Sequence, residues 1–444
     1  MLLRFGGTAN FSCSLLLGNS KGSPVPSISS VPTLWADRDF VRFWVGQTAS
    51  QLGAQASQVT LPLLAVTTLG AGAAQLGALR AVQQAPILLF SLLVGVLVDR
   101  WRARVVMVLA DFGRALALAS IPLAYLLDAL GIPLLYVVSF VVGVFTVCFD
   151  VAYQATLPRL VARDQLTQGN SLLEGSRSAA QISGPALGGG LISLLSAPIA
   201  AAASTFFFVL STVSILRIKR PDVVPDDAGG ETGVLRQIRA GLRLVAGDSS
   251  LRAIAVASCI YQFSFAALMT VYLLFLTRSL ELSGAELGLV LAALGPGLLA
   301  GSLLSTWLPG RFGYGRVVVW AAATAEGVLF FVPALHGSGL ATVAALMVIN
   351  FLFGLFSQSV DIATLAIRQA ITPLSLQGRV AATMNFLGLG LMPLGSLLGG
   401  VFAAQVGVRP AFLIAALAMC LSPLSLQLSP LARLGKSLPA GTKV

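Results

Sequence analysis

Along most of this chain, polar residues alternate with apolar ones at neither the strand nor the helix period. Apolar runs of about 20 residues or more follow one another with short breaks. Twelve such runs are read at roughly 40–67, 75–98, 104–127, 133–156, 167–193, 196–216, 251–277, 284–308, 315–335, 338–366, 379–405 and 409–430. Each is long enough to cross a hydrocarbon layer as a helix, which satisfies its own backbone groups within one segment. The predicted fold is an all-α membrane protein: twelve transmembrane helices in two pseudo-symmetric six-helix bundles. The predicted organisation is a disordered cytoplasmic tail at 1–35, a first bundle at 36–216, a cytoplasmic linker at 217–250, a second bundle at 251–430 and a cytoplasmic tail at 431–444. In the first tail, Leu15–Leu17 is too short a run for the core of a signal peptide.

Composition narrows the class further. The 444 residues are 56% hydrophobic and 10% charged, with a mean hydropathy of +0.89. Soluble chains carry about 25% charged residues, so a water-covered enzyme, a disordered chain and a protein with a single anchor are all excluded. The net charge of +11 raises the question of nucleic acid, and the positions of the charges answer it. With the amino terminus placed inside, 23 of the 28 Lys and Arg residues fall in inside segments. Only Arg278 and Arg409 fall outside, and Arg80, Arg114 and Arg177 lie within spans. That is the positive-inside pattern of a cell-membrane protein with both termini cytoplasmic, not a nucleic-acid surface. Of the cysteines, Cys148, Cys259 and Cys420 sit in apolar runs, and with Cys13 they show no paired spacing; they read as small core residues.

In the long loop, Val234, Leu235, Ile238, Leu242 and Val245 recur at helical spacing beside a stripe of Arg236, Arg239 and Arg243. This predicts an amphipathic helix on the inner leaflet. It separates two blocks that repeat at an offset of 211 residues. Ser139, Gly143, Thr146, Asp150 and Tyr153 in span four answer to Asn350, Gly354, Ser357, Asp361 and Thr364 in span ten. Leu76-Gly77 answers to Leu287-Gly288, and Arg100 to Arg311. Paired six-helix repeats with a site between them are a transporter plan.

The loop after span two reads Gly95-Val-Leu-Val-Asp99-Arg100-Trp-Arg102-Ala-Arg104 and resembles the loop motif of the major facilitator superfamily, departing from it at Arg102 and Ala103. The second copy, from Gly310 to Arg316, has lost the aspartate. Span five carries Gly184-Pro185-Ala-Leu-Gly188-Gly189, similar to the end of the signature of that superfamily's exporters. The segments Trp35–Phe40, Gln47–Gly53, Asp150–Pro158, Gly169-Asn170 and Gln377–Arg379 are similar to the exporters of the enterobactin and macrolide-efflux type. The resemblance implies alternating access, with helices 1, 4, 7 and 10 lining the path and the glycines of span five helping to close it.

Against that expectation, several residues stand out. Gln47, Gln51, Gln55 and Gln58 lie on one face of span one and must face protein or water; they are either a neutral wall of the substrate cavity or interhelical contacts. Tyr261, Phe265, Met269 and Tyr272 form a stripe on span seven, either packing or an adaptable apolar wall. Gln262, Asn350 and Ser357 complete the candidate cavity. Asp150, with Asp99, Arg100 and Arg104, is implied by the resemblance to latch the inner gate, with Asp361 as its counterpart; a proton site and a structural pair are the alternatives. Asp111 with Arg114, and Glu174 with Arg177, are spaced to pair on a helix. Glu326 has no local partner about 16 Å into span nine, so with Asp150 and Glu174 it is a candidate proton carrier.

No phosphate loop, metal cluster or catalytic triad is present, and the single histidine, His336, sits in a link. The expectation is a monomeric non-enzyme without cofactor or bound metal. It exports amphiphilic small molecules at the expense of the proton gradient, with the lipid bilayer and its solute as partners and no nucleic acid. A proton-coupled importer and a non-transporting receptor or assembly factor on the same fold are the alternatives.

Overall fold

The computed structural model describes residues 34–161, 165–195, 197–220, 242–372 and 377–436. Six helices precede residue 217: α1 (Arg38–Thr67), α2 (Ala73–Arg100), α3 (Ala103–Leu126), α4 (Ile132–Leu160), α5 (Leu166–Leu194) and α6 (Ala197–Leu216). The rest are α7 (Ser249–Leu274), α8 (Gly284–Ala292), α9 (Leu294–Phe312), α10 (Tyr314–Gly327), α11 (Leu340–Ile371), α12 (Gln377–Leu389), α13 (Met392–Val406), α14 (Val408–Met419) and α15 (Leu421–Gln427). Nine stretches among the described residues are long and apolar enough to cross a membrane. Helices α1, α2 and α5, at 30, 28 and 29 residues, have the length as well. The twelve-span expectation is consistent with this set.

Local sequence explains where these rods start and stop. Asp37 accepts from the amides of Asp39 and Phe40 and caps α1; Asp248 does the same for α7 from Ser250 and Leu251. These two caps are 211 residues apart. Ser283 and Glu286 form a capping box on α8. Gly313 and Gly407 turn the chain at φ +89°, a conformation that favours glycine.

The two halves differ in continuity. Pro62, Pro86, Pro122 and Pro185 lie inside unbroken helices. In the second half, spans read as single runs are interrupted: at Ala293, at Gly390–Leu391 and at Cys420, while α7 ends in a π turn and α10 in a 3₁₀ stretch containing Pro333. Proline two to three residues after the three breaks removes an intrahelical donor there.

Large apolar side chains point outward, with Leu303 76% and Trp320 70% exposed. That is the surface of a protein whose solvent is lipid. Within the first half, α1 packs on α5 and α6, α3 on α4 and α6, and α2 on α4; within the second, α9 packs on α11, and α7 on α13 and α14. The halves meet chiefly along α2–α13 and α5–α8. At these seams the backbones touch. A Cβ on Gly77 would stand 2.7 Å from the Ser396 carbonyl oxygen, and one on Gly189 2.7 Å from the Gly288 Cα. The 211-residue offset maps Gly77 onto Gly288 and Gly189 onto Gly400, so each seam is the other's image. Both lie at the arginine-poor ends of the helices, where Arg278 also donates across the halves to the carbonyls of Gly70 and Ala71. Among the described residues, no comparable helix pair joins the halves at the arginine-rich end. The molecule is closed at one face.

Of the linker, residues 221–241 lie outside the described residues, with Val234, Leu235, Arg236, Ile238 and Arg239. Of the described stripe, Val245 is buried with Leu251, Ile254 and Ile367 of the second half. Leu242 is exposed. The tails 1–33 and 437–444, including Cys13, also fall outside the described residues.

Candidate functional site

A buried charge cluster forms the heart of the first half. Arg114, 1% exposed, pairs with Asp111, and Asp111 also accepts from Ser50 on α1 and Ser211 on α6. The Arg114 guanidinium carbon lies 4.6 Å from the Phe149 ring centre and 4.5 Å from that of Phe208, so two aromatic faces take the remaining positive field. The i, i+3 spacing predicted the pair; the aromatic clamp and the two serines had no signal in sequence spacing.

The glutamines of α1 divide. Gln47 is fully buried and accepts from Ser176 on α5 at 3.2 Å, an interhelical contact rather than a cavity wall. Gln51 is buried and donates to Asp150 at 3.4 Å. Gln55 is half-buried, with Gly184 close against its Cβ, and Gln58 is exposed. Asp150, half-buried, thus takes a hydrogen bond from Gln51, and the positive charges acting on it are those of Arg114 and Arg177. Asp99 and Arg100 close α2, and Gly95 lies a turn and more before them, but their side chains are outside the described residues, so the expected latch with Asp150 lies there too. Arg104 donates to the Leu216 carbonyl at 2.6 Å and ties α3 to the end of α6. The reading of Glu174 as a buried charge needs correction. It meets Arg177 at 3.8 Å but is 65% exposed, because this turn of α5 faces the open side of the molecule.

The span-seven stripe also divides. Tyr261 and Phe265 stack at 5.5 Å, and Phe265 stacks on Phe353 of α11 at 5.9 Å. Met269 is half-buried against the main apolar core. Tyr272 is buried beside Phe412, and its hydroxyl accepts from Asn350 at 2.7 Å. Asn350 also donates to the Leu346 carbonyl and is buried, so this expected cavity residue is a clasp between α7 and α11. Gln262 is half-buried near Gly388.

Tyr261, Ser357 and Asp361 line one cavity of about 320 Å³. It lies in the second half, lined by α7, α10, α11, α12 and α15. Glu326 of α10 lines it as well, 2% exposed and with Oε2 lacking a hydrogen-bond partner. Span nine is not among the helices that the resemblance puts along the path, yet the fold brings Glu326 to the same space as Asp361. Arg368, one turn and more towards the arginine-rich end, completes the charged lining. The glycine signature of α5 has two roles: Gly184 and Gly188 admit α1, whose Ala56 carbonyl oxygen would lie 2.9 Å from a Cβ on Gly188, and Gly189 forms the inter-half seam. Pro185 sits within the unbroken α5.

The family model for transmembrane secretion effectors matches residues 32–439. The chain belongs to this family of major facilitator transporters. Among its relatives, the multidrug efflux pump Tap of Mycolicibacterium fortuitum is 28% identical over 347 residues, covering 76% of this chain and 82% of that one. Macrolide efflux protein A of Streptococcus pyogenes is 21% identical over 379 residues, 84% and 92% of the two chains. A bacterial homologue of the iron transporter ferroportin, solved in an inward-facing state, shares the fold with a TM-score of 0.68 at 15% identity, over 88% of this chain and 98% of that one. The secretion effector is thus a multi-pass membrane transporter of a small molecule, not an enzyme, and its all-α fold is the major facilitator fold.

Proposed function

We propose that this secretion effector exports amphiphilic small molecules from the cytoplasm by alternating access, driven by proton entry. The observation that carries the reading is the closed arginine-poor face set against a cavity with aromatic, amide and carboxylate walls. In this reading the arginine-rich face and both termini are cytoplasmic by the positive-inside pattern, the closed face is the shut outer gate, and the binding space is on the side from which an exporter loads. Tyr261, backed by the stacked rings of Phe265 and Phe353 in the core behind it, offers an aromatic face, while Ser357 and Asp361 offer polar ones. That mixture suits a bulky amphiphile. The relatives named as multidrug and macrolide efflux proteins support the direction. Asp150 and Asp361, at equivalent places in the two halves, are the proposed conformational latch. Proton coupling rests on acids within the spans and on the lack of a phosphate loop in the sequence.

A susceptibility panel tests this: cells expressing the chain should tolerate higher macrolide and dye concentrations than cells without it. Asp150→Asn should abolish that protection at unchanged protein level, and a protonophore should raise the internal level of a labelled solute. Accumulation instead of exclusion would establish import. Unchanged protection with Asp150→Asn would remove the latch.

A further inference from the structure

The second-half cavity occupies the place that the Asp111–Arg114 cluster fills in the first half. The 211-residue offset takes Ser50 to Tyr261, Asp111 to Ala322, Arg114 to Ala325, Phe149 to Val360 and Ser211 to Ser422. All five residues of the first set join the buried cluster, and all five of the second line the cavity. Where the first half places a guanidinium and its carboxylate, the second has two alanines. The space is about 320 Å³, and it has gained a carboxylate on the same helix, Glu326, which answers to Ala115.

An acid so placed calls for a partner. Glu326 is 2% exposed, lines the cavity, and its Oε2 has no hydrogen-bond partner. A buried carboxylate without a cation or donor is unfavourable, and breaking a buried pair by removing one member leaves that cost behind. Asp361 lines the same cavity. Among the described residues the one basic group facing it is Arg368, seven residues from Asp361 on α11, about 10 Å along the axis; no ion pair among them joins the two. Two carboxylates therefore face one guanidinium, with Tyr261 on α7 supplying an aromatic ring of the kind that attracts cations.

We infer that this cavity is a binding pocket for an organic cation, an amidinium or ammonium head on an apolar body, seated by Glu326 and Asp361 where the first half seats its own Arg114. The inference deepens the export reading by naming the charge class of the solute, and it rests on that reading only for where the cation goes next. The apolar body would lie against apolar lining such as Ile254, Met384 and Leu426.

The test uses the purified full chain in detergent, titrated by calorimetry with benzamidine and with benzamide, which share a shape and differ in charge. Benzamidine should bind at least tenfold tighter than benzamide, and Glu326→Gln should weaken benzamidine at least tenfold. Ala325→Arg should place a guanidinium in the cavity, abolish benzamidine binding, and leave the thermal midpoint of the unliganded protein unchanged or higher. Equal binding of the two probes, or full benzamidine affinity in Glu326→Gln, would overturn the inference. If Glu326→Gln fails to fold, Ala325→Arg decides: lost binding supports the site and retained binding overturns it. Cells that export macrolide while the purified chain ignores benzamidine would remove the cation pocket and leave the exporter standing. Benzamidine binding by a chain that exports nothing would do the reverse.

Discussion

Arg114 and Glu326 show how one residue's environment decides its meaning. Both are ionisable, both are buried in apolar helices, and the spacing of neighbours in sequence separated them correctly: Arg114 has Asp111 three residues back and Glu326 has no such partner. What spacing could not reveal is that Arg114 lies between Phe149 and Phe208 while Glu326 borders a cavity. Arg114→Leu leaves Asp111 buried and unpaired and should destabilise the protein by about 3–5 kcal/mol. The double variant Asp111→Asn with Arg114→Leu should recover most of that loss, because no net charge remains buried. Thermal unfolding in detergent checks both; a double variant no more stable than the single one would show that the aromatic clamp, not charge pairing, holds the cluster. The glutamines of α1 teach the same lesson. Their common face was visible in the sequence, yet Gln47 is spent on α5, Gln51 on Asp150, and Gln58 is exposed.

At the scale of the helix, apolar run length located the spans to within a few residues, because the hydrocarbon thickness sets a minimum that every crossing helix must meet. Run length was blind to the interruptions at Ala293, Gly390 and Cys420, since a break inside a run keeps its hydropathy. It was also blind to caps. Asp37 and Asp248 each start a helix at the same place in the repeat, and each should contribute about 1 kcal/mol. Asp37 also meets Arg220 at 2.9 Å, so Asp37→Ala should lower the thermal midpoint more than Asp248→Ala does. Equal losses would mean that this exposed ion pair contributes nothing measurable, as many such pairs do.

For the whole molecule, the deciding feature is the pair of glycine seams. Gly189 with Gly288, and Gly77 with Gly400, let backbones meet across the halves, and nothing larger fits without moving a helix. Gly400→Leu would put a Cβ 2.7 Å from the Gly77 Cα and more atoms beyond it. It should shift the population away from the state closed at the arginine-poor face. Spin labels at Thr68 and Glu281, exposed at that face on opposite halves, should report a longer mean distance in the variant. An unchanged distance would show that the seam tolerates bulk and does not hold the gate. The sequence showed the duplication through Asp150 and Asp361, and it matched Gly77 with Gly288, but it did not say that each of these glycines meets the image of the other's partner.

By itself the sequence determined the solvent, the class and the repeat. Each of these depends on composition or on spacing along one helix, and neither changes when the chain folds. Only the tertiary structure decided which polar groups consume one another and which are left facing space. That outcome depends on contacts between helices that are hydrophobic on nearly every side, so their periodicity carries no record of which face meets which neighbour.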